Sequence, residues 1–171
     1  DREYALKARR IRNHGGIKRN EHILEGTNSR MDTIQASILQ VKARYLKEWT
    51  QRRKVIAERY LDGINPMEQI ELPYVDRLSV HTWHQFTIKT KKRDSIKTIL
   101  EEKGIETRIV YPKMLSNLNV YKNKGYTEQF CEKCEGYESE ILSLPIYPEM
   151  YDAEVEYVIK SVNCAIEEVS Q

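Results

Sequence analysis

Residues 26–32 read GTNSRMD and stand just ahead of a long helical pattern. The first turn of a helix carries unpaired N–H groups and a partial positive charge, which suits an anion. Arg30 adds a guanidinium fork matched to phosphate. Asn28 adds an amide donor, and Gly26 lets backbone approach closely. The same letters also read as a cap. Asn28 and Ser29 are favoured cap types, and Ser29 with Asp32 three residues on forms a capping-box pattern. On spacing alone, capping is the stronger of the two readings.

Other candidates are weaker. Tyr111 ends an expected strand and precedes Pro112, a place where side chains often reach ligands. His14 and His22 are loop histidines in a basic stretch and read as surface or packing residues. His81 and His84 lie three apart on an expected strand, so they would point to opposite faces. Cys131 and Cys134 form a CEKC stretch with no second pair of ligands. A zinc site needs about four, so the expectation is no metal and reduced thiols. Three cysteines and no secretory leader fit a reducing, cytoplasmic setting. The sequence contains no glycine-rich phosphate loop, nucleophile elbow or HExxH, and no lysine stands in a context that marks it as a Schiff-base residue.

Charge is uneven. Residues 1–60 hold 15 Lys/Arg against 7 Asp/Glu, whereas the remainder is net acidic, within an overall balance of +2. A basic first third favours an anionic partner: a small-molecule phosphate, nucleic acid or an acidic surface. A merely solvated basic face fits equally well. No apolar run reaches the roughly 18–20 residues of a membrane span.

The elements that must position these residues follow from periodicity. Residues 3–12 read as a helix ended by Gly15 and Gly16. The chain starts without Met inside this pattern and with no capping residue behind it, which reads as a piece lacking its N-terminal part. Ile34, Ile38, Val41, Tyr45 and Trp49, continued by Val55, Ile56 and Tyr60, predict one amphipathic helix from Asp32 to about Asp62. That is roughly 45 Å of helix. It is stopped by Gly63 and Pro66. HTWHQFTIKT predicts a strand, DSIKTILEEKGI a short helix capped by Asp94 and ended by Gly104, and IETRIVYP a second strand. A looser stretch at 113–128 and a helix at about 129–140 follow. LSLPIYPEM reads as extended, and a final helix presents Val155, Val158, Ile159, Val162 and Ile166 on one face. The class is α+β, a βαβ–α–α unit attached to a helical arm.

RIRNHG, GTNSRMDTIQASIL, WHQFTI, GIETRIVYP and LSLPIYPEM occur in one order. Together, from about Arg9 to Val169, they resemble the C-terminal part of the DegT/DnrJ/EryC1/StrS family of pyridoxal-phosphate-dependent sugar aminotransferases. The resemblance implies the C-terminal part of a fold type I transferase. Residues 1–63 would be the end of the large domain, an active-site loop and a connecting helix, and 64–171 a small α/β domain. It implies amino transfer, from glutamate as a rule, to a nucleotide-linked keto-sugar for amino-sugar or polysaccharide synthesis. It also implies a homodimer with shared active sites and a Schiff-base lysine upstream of this chain, so that no residue here is catalytic and the piece alone is inactive. Asn28 would reach the cofactor phosphate of the neighbouring subunit, Arg30 the phosphate side of the nucleotide-sugar, and Tyr111 the substrate. Relatives often carry histidine where this chain has Val110, and after a YPxPL block where it has Ser116 and Asn117. The competing readings are a stand-alone basic nucleic-acid-binding module and a ligand-free scaffold.

Overall fold

The computed structural model describes residues 1–18, 20–66, 70–123, 134 and 136–170. Two compact units divide the chain, Asp1–Leu46 and Lys47–Gln171.

In the first unit, α1 (Arg2–Ile11) begins at Asp1, whose carboxylate accepts the Glu3 N–H at 2.7 Å. The helix therefore has the cap that the sequence reading denied it. A hairpin follows, β1 (Gly16–Lys18) against β2 (Glu21–His22). The turn into it needs positive φ at His14 (55°) and Gly15 (73°). The main chain then returns along its own path. Thr27 N–H donates to Ile11 O (2.8 Å), His14 N–H to Thr27 O (3.0 Å) and Ser29 N–H to Arg12 O (2.9 Å).

Helix α2 (Thr33–Gly63) matches the predicted extent. Its cap does not. Asp32 N–H donates to the Gln35 side-chain oxygen at 3.2 Å, which is the backward half of a capping box built on Asp32 and Gln35. Ser29 is engaged through its own N–H with Arg12, three residues upstream of that cap. The expected apolar face is also only half buried. Ile56 and Tyr60 are fully buried with Ala57, but Ile34 is 76% exposed and Ile38 and Val41 54% each. Periodicity reports which residues share a face, and a separate packing partner decides whether that face is covered.

The second unit is built on β3 (Phe86–Lys89) and β4 (Ile141–Leu144), antiparallel with Phe86 opposite Leu144. A bridge of Glu71 to Lys89 extends one side, and a bridge of Arg108 to Ser143 extends the other. The predicted βαβ is thus a split one: β3 and the 105–110 segment run the same way on either side of β4. Both predicted strands are shorter than expected. HTWHQFTIKT becomes extended only at Phe86, because Trp83 adopts φ 52° and its N–H donates to His81 Nδ1 at 2.9 Å. His81 and His84 accordingly precede the strand. IETRIVYP makes a single bridge.

Helix α3 (Arg93–Glu102) begins differently from the prediction. Asp94 lies inside its first turn and pairs with Arg93 (2.6 Å), while Thr90 Oγ1 accepts the Lys92 N–H (3.1 Å). Its end is as predicted. Gly104 takes φ 75°, with Gly104 N–H on Glu101 O and Ile105 N–H on Leu100 O, a Schellman motif. A 3₁₀ turn at Leu115–Asn117, α4 (Asn119–Lys122) and α5 (Tyr137–Glu140) follow. Of the helix expected at 129–140, residues 129–133 and 135 lie outside the described residues, as does Cys131.

Helix α6 (Asp152–Ser170) buries Val155, Val158, Ile159, Val162 and Ile166, the face read from sequence. The core also contains Phe86, Ile88, Ile96, Leu100 and Leu142. Tyr60 meets Phe86 edge-on at 5.0 Å and donates its hydroxyl to Pro145 O at 2.8 Å. Burial pushes the Tyr60 hydroxyl pKa up, so it stays a donor.

Asn163 on α6 closes α2. Its Nδ2 donates to Gly63 O (2.9 Å) and its Oδ1 accepts Asn65 N–H (3.0 Å). Asn163→Ala is expected to lower stability by about 1–3 kcal/mol, because two end groups of α2 lose partners. A denaturant titration with an unchanged midpoint would show that water replaces the amide.

Asp152 links the same two helices, bonding Arg52 (2.7 Å) and Arg59 (2.9 Å). The Arg52 hydrogen bond, working against a residual desolvation that raises it and helped by the Arg52 and Arg59 charges, holds its carboxyl below the ordinary value. A depressed carboxyl stabilises above the unfolded value of about 3.9 and loses that contribution as pH falls through the folded value. Asp152→Asn is therefore expected to flatten the acid limb of a stability-versus-pH curve below about pH 4 while leaving its slope near neutrality unchanged.

Candidate functional site

The fold turns residues 26–30 into a braced segment. Asn28 lies opposite Asn13 in a bridge between the returning chain and the end of α1. Three main-chain hydrogen bonds from Thr27 to Ser29 fix its height. Gly26 is the pivot: a Cβ there would sit 2.3 Å from Gly15 N and 2.4 Å from Ile11 O. The close approach expected of Gly26 is thus to its own chain. His22, read from sequence as packing or surface, donates Nδ1–H to His14 O at 2.8 Å. It ties the hairpin to the turn that carries the bracing groups.

Asn28 and Arg30 touch each other. Arg30 Nε–H donates to Asn28 Oδ1 at 3.1 Å. This contact orients the amide, because its oxygen is occupied and its NH₂ is left to donate. Among the described residues the terminal guanidinium nitrogens of Arg30 make no further hydrogen bond. The exposed product is two donor groups, the Asn28 NH₂ and the Arg30 guanidinium end, on a unit rich in Lys and Arg. Such a surface suits an oxyanion.

Tyr111 belongs to the second unit and is 77% exposed. It follows the 105–110 segment and precedes a loop held by Glu138, whose Oε1 accepts Met114 N–H and Asn117 Nδ2–H (2.7 Å for the latter). Beside that segment is a groove of about 800 Å³, lined by Arg53, His84, Arg108, Val110, Tyr147 and Tyr157 among others. Val110 lines it and Tyr111 does not. Sequence reading weighed His84 only beside His81 and did not single out Arg53 or Tyr147. Arg53 donates to Ile146 O and, at 3.4 Å, to Trp83 O, so it fixes the groove wall. Its only signal in the sequence was membership of a basic run on α2.

Comparison with known proteins places these features in context. A family profile described as the DegT/DnrJ/EryC1/StrS aminotransferase family matches residues 1–163. The chain is 40% identical over 167 residues to dTDP-3-amino-3,6-dideoxy-alpha-D-galactopyranose transaminase of Aneurinibacillus thermoaerophilus, covering 95% of this chain and 44% of the relative. It is 33% identical to dTDP-3-amino-3,4,6-trideoxy-alpha-D-glucose transaminase of Streptomyces venezuelae, over 100% of this chain and 45% of that protein. Among solved structures, S. venezuelae DesV in complex with a ketimine intermediate superposes with a TM-score of 0.87 at 32% identity, over 95% of this chain and 44% of that one. NtdA of Bacillus subtilis with bound PMP gives 0.86 at 28% identity, over 98% and 40%. The chain spans less than half the length of these relatives.

Proposed function

Because this chain belongs to the DegT/DnrJ/EryC1/StrS aminotransferase family, we propose that it is the C-terminal segment of a nucleotide-sugar aminotransferase. The full-length, cytoplasmic enzyme moves an amino group from a donor, glutamate in this reading, to a nucleotide-linked keto-sugar for amino-sugar or polysaccharide synthesis. The observation that carries the reading is the hydrogen-bonded pair Asn28–Arg30 on a braced loop, in a chain whose relatives are named as sugar transaminases. Pyridoxal phosphate, when bound, supplies the electron sink for amino transfer.

The residues of this chain have binding and positioning roles. The Asn28 amide NH₂ donates to the cofactor phosphate of a neighbouring subunit, so the working unit is a homodimer. Arg30 orients Asn28 and offers its remaining N–H groups to the phosphates of the nucleotide-sugar. Tyr111 lines the sugar site. The Schiff-base lysine belongs to the part of the enzyme outside these residues, and the segment alone does not catalyse.

The test is an assay of the full-length protein with glutamate and a panel of nucleotide-linked keto-sugars. Release of 2-oxoglutarate with at least one sugar is expected, and none with any would refute the reading. In that protein Asn28→Asp is expected to weaken pyridoxal phosphate retention about 10- to 100-fold. A charge-assisted donor worth roughly 1.5–3 kcal/mol becomes a repelling carboxylate. Unchanged retention would remove Asn28 from the cofactor site.

A further inference from the structure

Tyr111 stands between two fixed points of the chain. Before it, Arg108 exchanges both main-chain hydrogen bonds with Ser143 of β4, at 3.0 and 2.7 Å. After it, Met114 N–H donates to Glu138 Oε1. The same oxygen accepts Asn117 Nδ2–H at 2.7 Å. Met114 and Asn117 stand at the two ends of the 3₁₀ turn Leu115–Asn117, so one carboxylate oxygen pins the whole turn. Among the described residues the other hydrogen bonds of 109–117 are local: Asn117 N–H to Met114 O (2.9 Å) and Leu118 N–H to Leu115 O (3.2 Å). Neither ties the loop to the rest of the unit.

Glu138 is itself held in a frame. It lies in α5, which runs directly into β4 at Ile141. Its carbonyl accepts Arg93 Nη1–H at 3.1 Å, from the first residue of α3. Glu140 O accepts Thr90 N–H at 2.8 Å, just past the end of β3. The loop that carries Tyr111 is therefore joined to the sheet on both sides of the tyrosine, by main chain at Arg108 and by one side chain at Glu138. Pro112 limits the span between them further, since its ring fixes φ. An ionised acceptor also holds its donors more strongly than a neutral one.

We propose that Glu138 is a positioning residue of the sugar site: by holding Met114 and Asn117 it sets where Tyr111 stands against the nucleotide-linked keto-sugar. The proposal rests on the reading of the chain as part of a nucleotide-sugar aminotransferase in which Tyr111 lines that site. Tyr111 is largely exposed on its own unit, so little packing fixes its ring, and the backbone on either side decides its place. Glu138 acts through the loop, because the oxygen it turns towards Tyr111's neighbours is taken up by two donors from that loop. Release of those donors lets the turn shift and carries Tyr111 with it. A substrate contact made by a misplaced side chain is lost while the chemistry at the cofactor is untouched. The effect therefore falls on sugar binding.

The experiment compares Glu138→Ala, Glu138→Gln and Asn117→Ala in the full-length enzyme, with Glu138→Ala also combined with Tyr111→Ala. In Glu138→Ala, KM for the keto-sugar nucleotide is expected to rise about tenfold with kcat within about twofold, the pattern of a lost binding contact. Cofactor content and the half-reaction with glutamate, followed by cofactor absorbance, should match the parent. Asn117→Ala, which removes one of the two donors, should show the same split at smaller size. Glu138→Gln keeps an oxygen that can accept both donors and should stay within about threefold of the parent. Because Glu138 acts through Tyr111, its loss should raise KM by less than about twofold once Tyr111 is already alanine. In an active parent enzyme, an unchanged KM, additive losses, a glutamine variant as impaired as the alanine variant, or loss of cofactor and glutamate turnover in both Glu138→Ala and Asn117→Ala overturns the proposal. A parent that aminates no nucleotide-linked sugar refutes the functional reading, and the positioning role falls with it.

Discussion

Full-length protein carrying Gly26→Ala is expected to lose most of its bound pyridoxal phosphate while keeping the second unit folded. The added Cβ would meet only main chain: Gly15 N at 2.3 Å, Ile11 O at 2.4 Å and His14 C at 2.8 Å. No side chain can rotate away, so the returning segment must lift from the end of α1. That movement breaks the bonds of Thr27 with Ile11 and His14 and of Ser29 with Arg12, at about 1 kcal/mol each, or roughly 3 kcal/mol for the set. Asn28 and Arg30 then no longer share a fixed position. The expected readings are faster exchange of the Thr27 and Ser29 amides and cofactor affinity reduced about a hundredfold, the equivalent of roughly 3 kcal/mol. Retention equal to the parent protein would show that the brace does not set the position of the donors. Because the lesion is local, the denaturation midpoint of the Lys47–Gln171 unit should be unchanged.

Phe86→Ala is expected to act in the opposite place. Phe86 is fully buried, edge-on to Tyr60 at 5.0 Å and stacked on Trp83 at 5.5 Å. Its removal leaves a cavity where α2, β3 and the turn at Trp83 meet, and such truncations cost about 3–5 kcal/mol. Phe86→Leu, which keeps most of the volume, should cost about 1.5 kcal/mol or less. The two are compared by denaturant midpoint and by Trp83 fluorescence. Equal losses from both would mean that ring shape outweighs volume at this position. Loss of function in Phe86→Ala should follow from loss of folded protein, with cofactor affinity per folded molecule little changed. Gly26→Ala shows the reverse pattern, so the pair separates folding of one unit from geometry of the other.

The sequence was informative wherever the signal was local. The extent of α2 followed from its 3.6-residue repeat and its stop at Gly63. The buried face of α6 was read residue by residue. Gly104 was recognised as the end of α3 because left-handed backbone is costly for any other residue. Local reading failed at helix starts. Ser29 and Asp94 each had the right chemistry for a cap, yet Gln35 and Thr90 provide the side-chain contacts actually made. Several polar residues in a row can cap, and one turn of register decides between them. It failed also for strands, because a strand exists only where another strand pairs with it. HTWHQFTIKT and IETRIVYP contain good strand formers, but β4 offers partners to only some of their residues.

The candidate site divides in the same way. The sequence by itself determined which residues could hold a phosphate: Asn28 and Arg30, two apart, ahead of a helix in a basic stretch, within an ordered set of blocks that identifies the family. It also left capping as the simpler account of that stretch. Tertiary structure bears on the capping account. The cap falls to Asp32 and Gln35, and Arg30 turns the Asn28 amide so that its donors face outward. Gly26 is needed because two stretches of main chain, eleven residues apart at Gly15 and Gly26, pass within van der Waals contact. Side-chain chemistry is written in the sequence, and what each group faces is set by the segments that pack against it.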